Sequence, residues 1–207
     1  MSEQPVPTKI AHPVSDLPEG MGYKLISSLI VPRPIGWIGT VSLDGVPNLA
    51  PYSFFNAVAG NPPTVVFSPG VGARKDTLDN VTATGEFTVN IVTEEVVEAM
   101  NATAASFDAE EDEFELCGLT PMASTLIGAP MVGECKATIE CRVVQIVPIG
   151  DKADGNMLVI GEAVMFHVND DLFDGSYIDQ VALRAVGRHA GSVYSRSSDQ
   201  FKIARPT

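Results

Sequence analysis

Basic residues are scarce in this chain. Lys and Arg total 13 against 26 Asp and Glu, a formal charge of −13 over 207 residues. Duplex nucleic acid and anionic membranes both require a basic surface, so neither is the main partner. The acidity serves solubility and leaves room for a small anionic ligand, which responds to local groups rather than to net charge. Long apolar runs are also missing: no stretch approaches the roughly 20 residues of a spanning helix. The opening "MSEQPVPTKIAHPVSDLPEG" has no basic region followed by an apolar one, so it does not read as a secretory signal. It reads as a Pro-rich arm (1–21) lying on the surface or on a partner subunit, ahead of one domain over 22–207. The default expectation is a cytoplasmic protein.

Cysteine and histidine are sparse too. Cys117, Cys135 and Cys141 form neither a CxxC pair nor a metal-ligand spacing. Cys135 and Cys141 share one expected strand and stand about 20 Å apart, too far for a disulfide. Buried free thiols in a reducing compartment follow. His12, His167 and His189 are scattered, and no metal is expected. There is no GxxxxGK[ST], no strand-linked GxGxxG and no GxSxG, which sets aside a P-loop, a Rossmann dinucleotide site and a hydrolase elbow. No internal repeat or low-complexity tract is present.

What the chain does have is strand pattern. "PIGWIGTVS" (34–42) mixes β-branched, aromatic and glycine residues, and Asp44-Gly45 after it is a strong hairpin signal. "NLAPYSFFNAV" (48–58) returns as the partner strand, with Pro51 marking an edge, a strand start or a bulge. "TVVFSP" (64–69) makes a third antiparallel strand. Asp76 is a plausible N-cap for a short helix through Leu78 and Val81 that ends near Gly85. "EFTVNIV" (86–92) is a strand, and a second helix starts at Thr93 with acids at its positive end. The acidic "FDAEEDEFELCGL" (107–119) reads as a solvent-facing connection. In "GECKATIECRVVQIVPIG" the residues Cys135, Ala137, Ile139, Cys141 and Val143 alternate with Glu134, Lys136, Thr138, Glu140 and Arg142, one face buried and one wet. "MLVIGEAVMFHV" (157–168) is apolar on both faces and so more central. The tail from Ser176 begins helical and becomes a Gly/Ser-rich loop. Strands outweigh helices without βαβ alternation, so the expected fold is mainly β with short helices, an antiparallel barrel.

Three groups could carry chemistry. "GARKDT" (72–77) delivers Arg74, Lys75 and Thr77 to a helix start, where free N–H groups, the dipole and two cations suit a phosphate. The competing reading is a solvated basic loop whose Asp76 only caps the helix. The paired strands offer Thr40, Ser42, Asn48 and Ser53, and Ala50-Pro51 exposes backbone that suits a flat polar ring; the competing reading is a barrel wall facing water. His167, Arg188, His189 and Tyr194 form the third group, each of which also has an ordinary structural use.

The ordered set "RPIGWIGTVSLDGVPNLAPYSFFNAVAGNPPTVVFSP", "RKDTLDNVTATGEFTVNIV", "GEAVMFHVNDDL" and "VGRHAGSVYSR" resembles the flavin reductase-like family of FMN-binding split barrels, the flavoredoxin-like branch in particular. The resemblance implies a Greek-key-like split-barrel homodimer holding FMN non-covalently near the subunit interface. It implies Lys75 and Thr77, helped by Arg74 and Ser53, on the phosphate. Thr40, Val41, Ser42, Asn48, Ala50, Pro51, Tyr52 and Ser53 would line the ring and ribityl chain, with Trp37 packing nearby. His167, His189 and Tyr194 would be further contacts reaching across the dimer. The implied activity is an oxidoreductase that reduces FMN or a small acceptor with NAD(P)H, with a monooxygenase or other redox protein as a further partner. No protein nucleophile is needed, because the chemistry belongs to the flavin. The alternatives are an electron-transfer flavoprotein without a substrate of its own, and a binding module that has lost flavin.

Overall fold

The Asp44-Gly45 turn closes the first hairpin. Gly45 takes φ 86°, a region open to glycine at little cost, and Ser42 N–H donates to the Val46 carbonyl at 2.9 Å. The turn joins β1 (Gly36–Val41) to β2 (Pro47–Tyr52), with Trp37 opposite Pro51 and Thr40 opposite Asn48. The computed structural model describes residues 8–70, 75–105, 107, 111–150 and 155–206.

The run 48–58 is two strands rather than one. It stops at Tyr52, turns through Ser53-Phe54, and resumes as β3 (Phe55–Gly60), which pairs with β4 (Pro63–Phe67). Then come β5 (Glu86–Ile91), the two-residue strands β6 (Pro121–Met122) and β7 (Met131–Val132), the long β8 (Ala137–Ile149) and β9 (Asn156–Val168), and a terminal hairpin of β10 (Val186–Arg188) and β11 (Tyr194–Arg196). The helices are α1 (Met21–Leu29), α2 (Lys75–Thr84), α3 (Val97–Ala102), α4 (Glu113–Leu116) and α5 (Gln180–Leu183).

Seven strands form one antiparallel sheet in the order β2-β1-β5-β8-β9-β4-β3. Its two end strands, β2 and β3, are linked only by Ser53-Phe54. That link spans at most about 11 Å between Cα atoms, so the sheet must curl until its ends stand side by side. The Ser68 N–H donates to the Phe54 carbonyl at 2.9 Å, and a Cβ on Gly36 would lie 2.6 Å from the Phe55 ring. Phe55 at the start of β3 thus reaches Gly36 of β1, while β2 and β3 are not paired with each other, which makes this a split barrel.

Strand alternation sorts the core into two layers. Inside the barrel, Ile38, Ala50, Tyr52, Val65, Phe67, Phe87, Val89 and Val159 pack with Val81 of α2. Phe67 sits between Tyr52 and Phe87, with centroids 5.3 and 5.1 Å away. On the outer face of β1 and β2, Ile35, Trp37 and Leu49 pack under Met100 of α3, Phe114 of α4, Val132 of β7 and Val186 of β10.

Several local expectations are corrected. The acidic segment is not wholly solvent-facing: Phe114 is fully buried, and Glu113 is 8 % exposed. The expected wet face of β8 is half wrong as well. Glu140 is 0 % and Thr138 4 % exposed, because the segment ahead of β7 folds over them: Glu140 takes N–H donors from Thr125 and Leu126, and Thr138 Oγ1 bonds Asn90 Oδ1 at 3.0 Å. The helix expected from Thr93 begins only at Val97. Asp76 lies in the first turn of α2 rather than before it, while the stop at Gly85, with φ 71°, is as expected. Helix α1 was not anticipated; it starts after Gly20 with no side-chain cap. Cys141 is buried, Cys117 and Cys135 are half-buried, and all three are free. Burial pushes the Cys135 and Cys141 thiols up to about 12.

Candidate functional site

The free edge of β2 explains its prolines. Ser42 and Val46 exchange a ladder bond, so by antiparallel alternation Pro47, Leu49 and Pro51 turn their backbone polar groups away from β1. Two of these three outward positions have no N–H to leave unpaired. The third, Leu49 N–H, donates to Glu113 Oε2 of α4 at 3.1 Å. Burial, reinforced by Asp76 and Asp112, holds the Glu113 carboxyl above the ordinary carboxylate range against the pull of that N–H.

On the inward side, Asn48, Thr40, Thr77 and Asn80 form a closed polar network. The Asn48 oxygen accepts from Thr40 Oγ1 at 3.1 Å and Thr77 Oγ1 at 2.9 Å, and its nitrogen donates to Glu113 Oε1 at 3.3 Å. Asn80 Nδ2 donates to Thr40 Oγ1 at 3.1 Å. Thr40, Thr77 and Asn48 are at most 7 % exposed. Beside them opens a cavity lined by Asp44, Asp76, Asp79, Glu111 and Glu113. Five carboxylates make it hostile to phosphate. Thr77 therefore stands among protein groups. Arg74 lies outside the described residues.

A second cavity, of about 200 Å³, lies at the far end of β2. Pro51, Ser53, His189 and Tyr194 meet there, together with Tyr23, Arg33 and Arg188. Arg33 was not singled out from sequence; a cation between Pro32 and Pro34 just ahead of a strand was the available signal. It is 5 % exposed. Its Nη1 donates to the Ser27 and Ile30 carbonyls at the end of α1, at 2.5 and 2.8 Å. Nη2 donates to the His189 carbonyl at 3.1 Å, and Nε to Ser53 Oγ at 3.4 Å. Tyr194 O–H bonds Asn101 Oδ1 at 3.0 Å, and its ring carries the Arg188 guanidinium 4.5 Å from the centroid. His189 Nε2 is buried with no hydrogen-bond partner among the described residues.

The other expected site residues are placed elsewhere. Trp37 is fully buried in the outer core layer, donating to Thr103 Oγ1 at 2.9 Å. Ala50 and Tyr52 point into the barrel interior. Val41 ends β1 and Ser42 follows it, both half-buried, with Ser42 Oγ accepting from Val46 N–H at 3.1 Å. His167 lines a separate groove with Lys136 and Phe166, and its Nε2 lies 2.6 Å from Glu140 Oε1. The structure thus gathers Pro51, Ser53, His189 and Tyr194 around one cavity, and Thr40, Asn48 and Thr77 into one network. His167 joins neither.

The model of the flavin reductase like domain matches residues 27–187. An uncharacterized protein of Aquifex aeolicus (strain VF5) is 40 % identical over 185 residues, 87 % of this chain and 92 % of its own. The crystal structure of nitrilotriacetate monooxygenase component B from Bacillus cereus superposes with a TM-score of 0.92 at 37 % identity, covering 96 % of this chain and 100 % of that one. The 2-nitrobenzoate 2-nitroreductase of Pseudomonas fluorescens gives 0.86 at 30 % identity, with 97 % of each chain covered. The family model and the superposition agree, and the chain belongs to the flavin reductase-like family.

Proposed function

We propose that this protein is an FMN-binding oxidoreductase that takes reducing equivalents from NAD(P)H and delivers them to a small acceptor or to a partner oxygenase. The observation that carries this is the outward edge of β2, unpaired by any strand among the described residues and lacking an N–H at Pro47 and Pro51, whose Pro51–Ser53 end reaches the Arg33 cavity. Between Asn48 and Ser53 that edge covers about 16 Å, room for a ligand with a phosphate at one end and a ring system at the other.

The residues present fit such a group. Lys75 at the head of α2, with Arg74, would take the phosphate with help from the helix N-terminus. The outward carbonyls of β2 would accept from the ring's N–H, and Pro51, Ser53, His189 and Tyr194 would bound its reactive end. His189 Nε2, buried and unpartnered among the described residues, suits a polar ring atom. Thr40, Asn48 and Thr77 would act indirectly, by fixing β2 against α2. Trp37, Ala50 and Tyr52 would set the strand's position from the core. His167, in its own groove, would contribute only from a second copy of the chain, in a homodimer. Bound FMN would supply two-electron chemistry; the protein supplies position, exclusion of water and local charge. Micromolar retention needs about −8 kcal/mol, within reach of a phosphate contact plus ring burial. The Bacillus cereus structure is named as a monooxygenase component, which supports an oxygenase as partner.

The test is direct. Purified protein should be yellow, and heat should release FMN rather than FAD. Colourless protein that takes up no added FMN would sink the reading. Anaerobic mixing with NADH or NADPH should bleach the flavin rapidly; slow bleaching by both would mark an electron carrier instead.

A further inference from the structure

Arg33 and Arg188 are direct backbone partners. Arg33 N–H donates to the Arg188 carbonyl at 2.9 Å, and Arg188 N–H to the Arg33 carbonyl at 2.8 Å, in an isolated antiparallel bridge. Like charges directly opposite each other are destabilising. Both side chains line the same cavity. Neither has a carboxylate within ion-pair distance among the described residues, whereas Arg184 and Arg196 both pair with Glu94. In a chain with 26 acidic residues, the described lining of this cavity includes two arginines and a histidine and not one acid.

The internal bonds of Arg33 do not neutralise it. Its acceptors are three carbonyls and a hydroxyl, so the charge stays inside the protein at a site 5 % exposed. A guanidinium has five N–H donors; the described bonds leave one on Nη2. Arg188 uses an Nη2 donor on the Gly191 carbonyl and lies over Tyr194, which leaves most of its fork free. The remaining wall mixes Ile35, Met100, Tyr23 and Tyr194 with the neutral polar groups of Ser27, Ser53 and Asn101.

We propose that this cavity is an oxyanion site that receives the acid group of the flavin's second redox substrate, a small planar molecule bearing a carboxylate or phosphate. Arg188 is the accessible fork, Arg33 the buried charge behind it, and Tyr194 the surface for the planar body. A volume of about 200 Å³ suits one ring and its acid group, not a whole dinucleotide. The identity of that substrate as a redox partner rests on the flavin reading; the oxyanion site itself does not.

Calorimetric titration of the full-length, flavin-loaded protein with benzoate, neutral benzamide and inorganic phosphate tests this. Benzoate should bind one per chain and at least ~10-fold tighter than benzamide, since a charge-assisted bond carries that much. Phosphate should compete with it. Arg188→Gln should abolish the preference while flavin content stays the same. Arg33 ties α1, Ser53 and the β10–β11 turn together, so its variant is the milder Arg33→Lys, expected to weaken benzoate without loss of fold.

Equal affinity for benzoate and benzamide, or a preference that survives both variants, overturns the site. If benzoate displaces FMN but not riboflavin, the acid group received is the flavin's own phosphate, and the assignment to a second substrate falls. Protein that holds no flavin yet shows the Arg188-dependent preference overturns the proposed function and leaves the oxyanion site standing.

Discussion

The Thr77 hydroxyl lies 2.9 Å from the Asn48 side-chain oxygen, turned inward from the helix start it shares with Lys75. Of the two residues expected to grip one phosphate, Thr77 is thus engaged inside the protein, and on the reading proposed above only Lys75 would reach the ligand. Lys75→Ala should weaken FMN and leave riboflavin almost untouched, as measured by fluorescence titration. Thr77→Val should weaken both ligands alike, because it leaves Asn48 short of a donor and loosens β2. Its cost to stability should be about 1–3 kcal/mol, typical of a buried polar group losing its partner. Selective loss of FMN in Thr77→Val would return the hydroxyl to the phosphate.

The Asp44-Gly45 hairpin was legible in the sequence because it is a local pattern, whereas the wet face expected of β8 is only partly present. Strand β9, expected to be the more central, is half-buried along most of its length and lies beside β8, the middle strand of the sheet. The division of 48–58 at Ser53-Phe54 was not legible, since the two halves pair with different strands at opposite ends of the sheet. Pro51 announced an edge strand, but not that Pro47 and Leu49 share its outward side. Glu140 read as a solvent-facing charge because its covering, Thr125 and Leu126, lies 14 to 15 residues earlier in the chain. Arg33 escaped notice for a related reason: its partners Ser53 and His189 are 20 and 156 residues away. Periodicity reports which residues are covered in a regular element, and says little about loops that fold back over it.

Gly161 of β9 leaves room for the tip of the Phe87 ring. A Cβ there would come within 2.3 Å of the Phe87 ring, which is fully buried and packed edge-on to Phe67. Gly161→Ala should destabilise the barrel by about 1–3 kcal/mol, the usual cost of overpacking. The pair Gly161→Ala with Phe87→Leu should recover part of that loss. Urea denaturation checks it, and an unchanged midpoint for the single variant would show that the ring has room to move.

Glu140 links β8 to β9 and to the segment ahead of β7. Burial opposes its ionisation, yet the Thr125 N–H, His167 and the Leu126 N–H outweigh that and hold the carboxyl below its ordinary value of 4.5. A depressed carboxyl contributes stability that is present above the unfolded value and lost as pH falls through the folded one. Wild-type stability should therefore drop below pH 4.5, and Glu140→Gln should flatten that drop. At neutral pH the variant should be less stable by roughly 1–3 kcal/mol, because its amide opposes a backbone donor. Urea midpoints from acid to neutral pH give both readings.

Glu113 should behave with the opposite sign. Its carboxyl is held above 4.5 by burial, with Asp76 and Asp112 adding to the effect, so the folded state binds its proton more tightly than the unfolded state does. Stability from this group is then fully present below the unfolded value and declines as pH rises through the folded one. Glu113→Gln removes that decline. The new amide can still accept from Leu49 N–H, and Asn48 can turn over to complete the exchange with Thr40 and Thr77. The stability of Glu113→Gln relative to wild type should therefore increase as pH rises above 4.5. Glu113→Ala should lose stability at every pH, since it strands the Leu49 N–H and the Asn48 amide. A difference between Glu113→Gln and wild type that stays constant with pH would mean the carboxyl is ionised as freely in the folded chain as in the unfolded one.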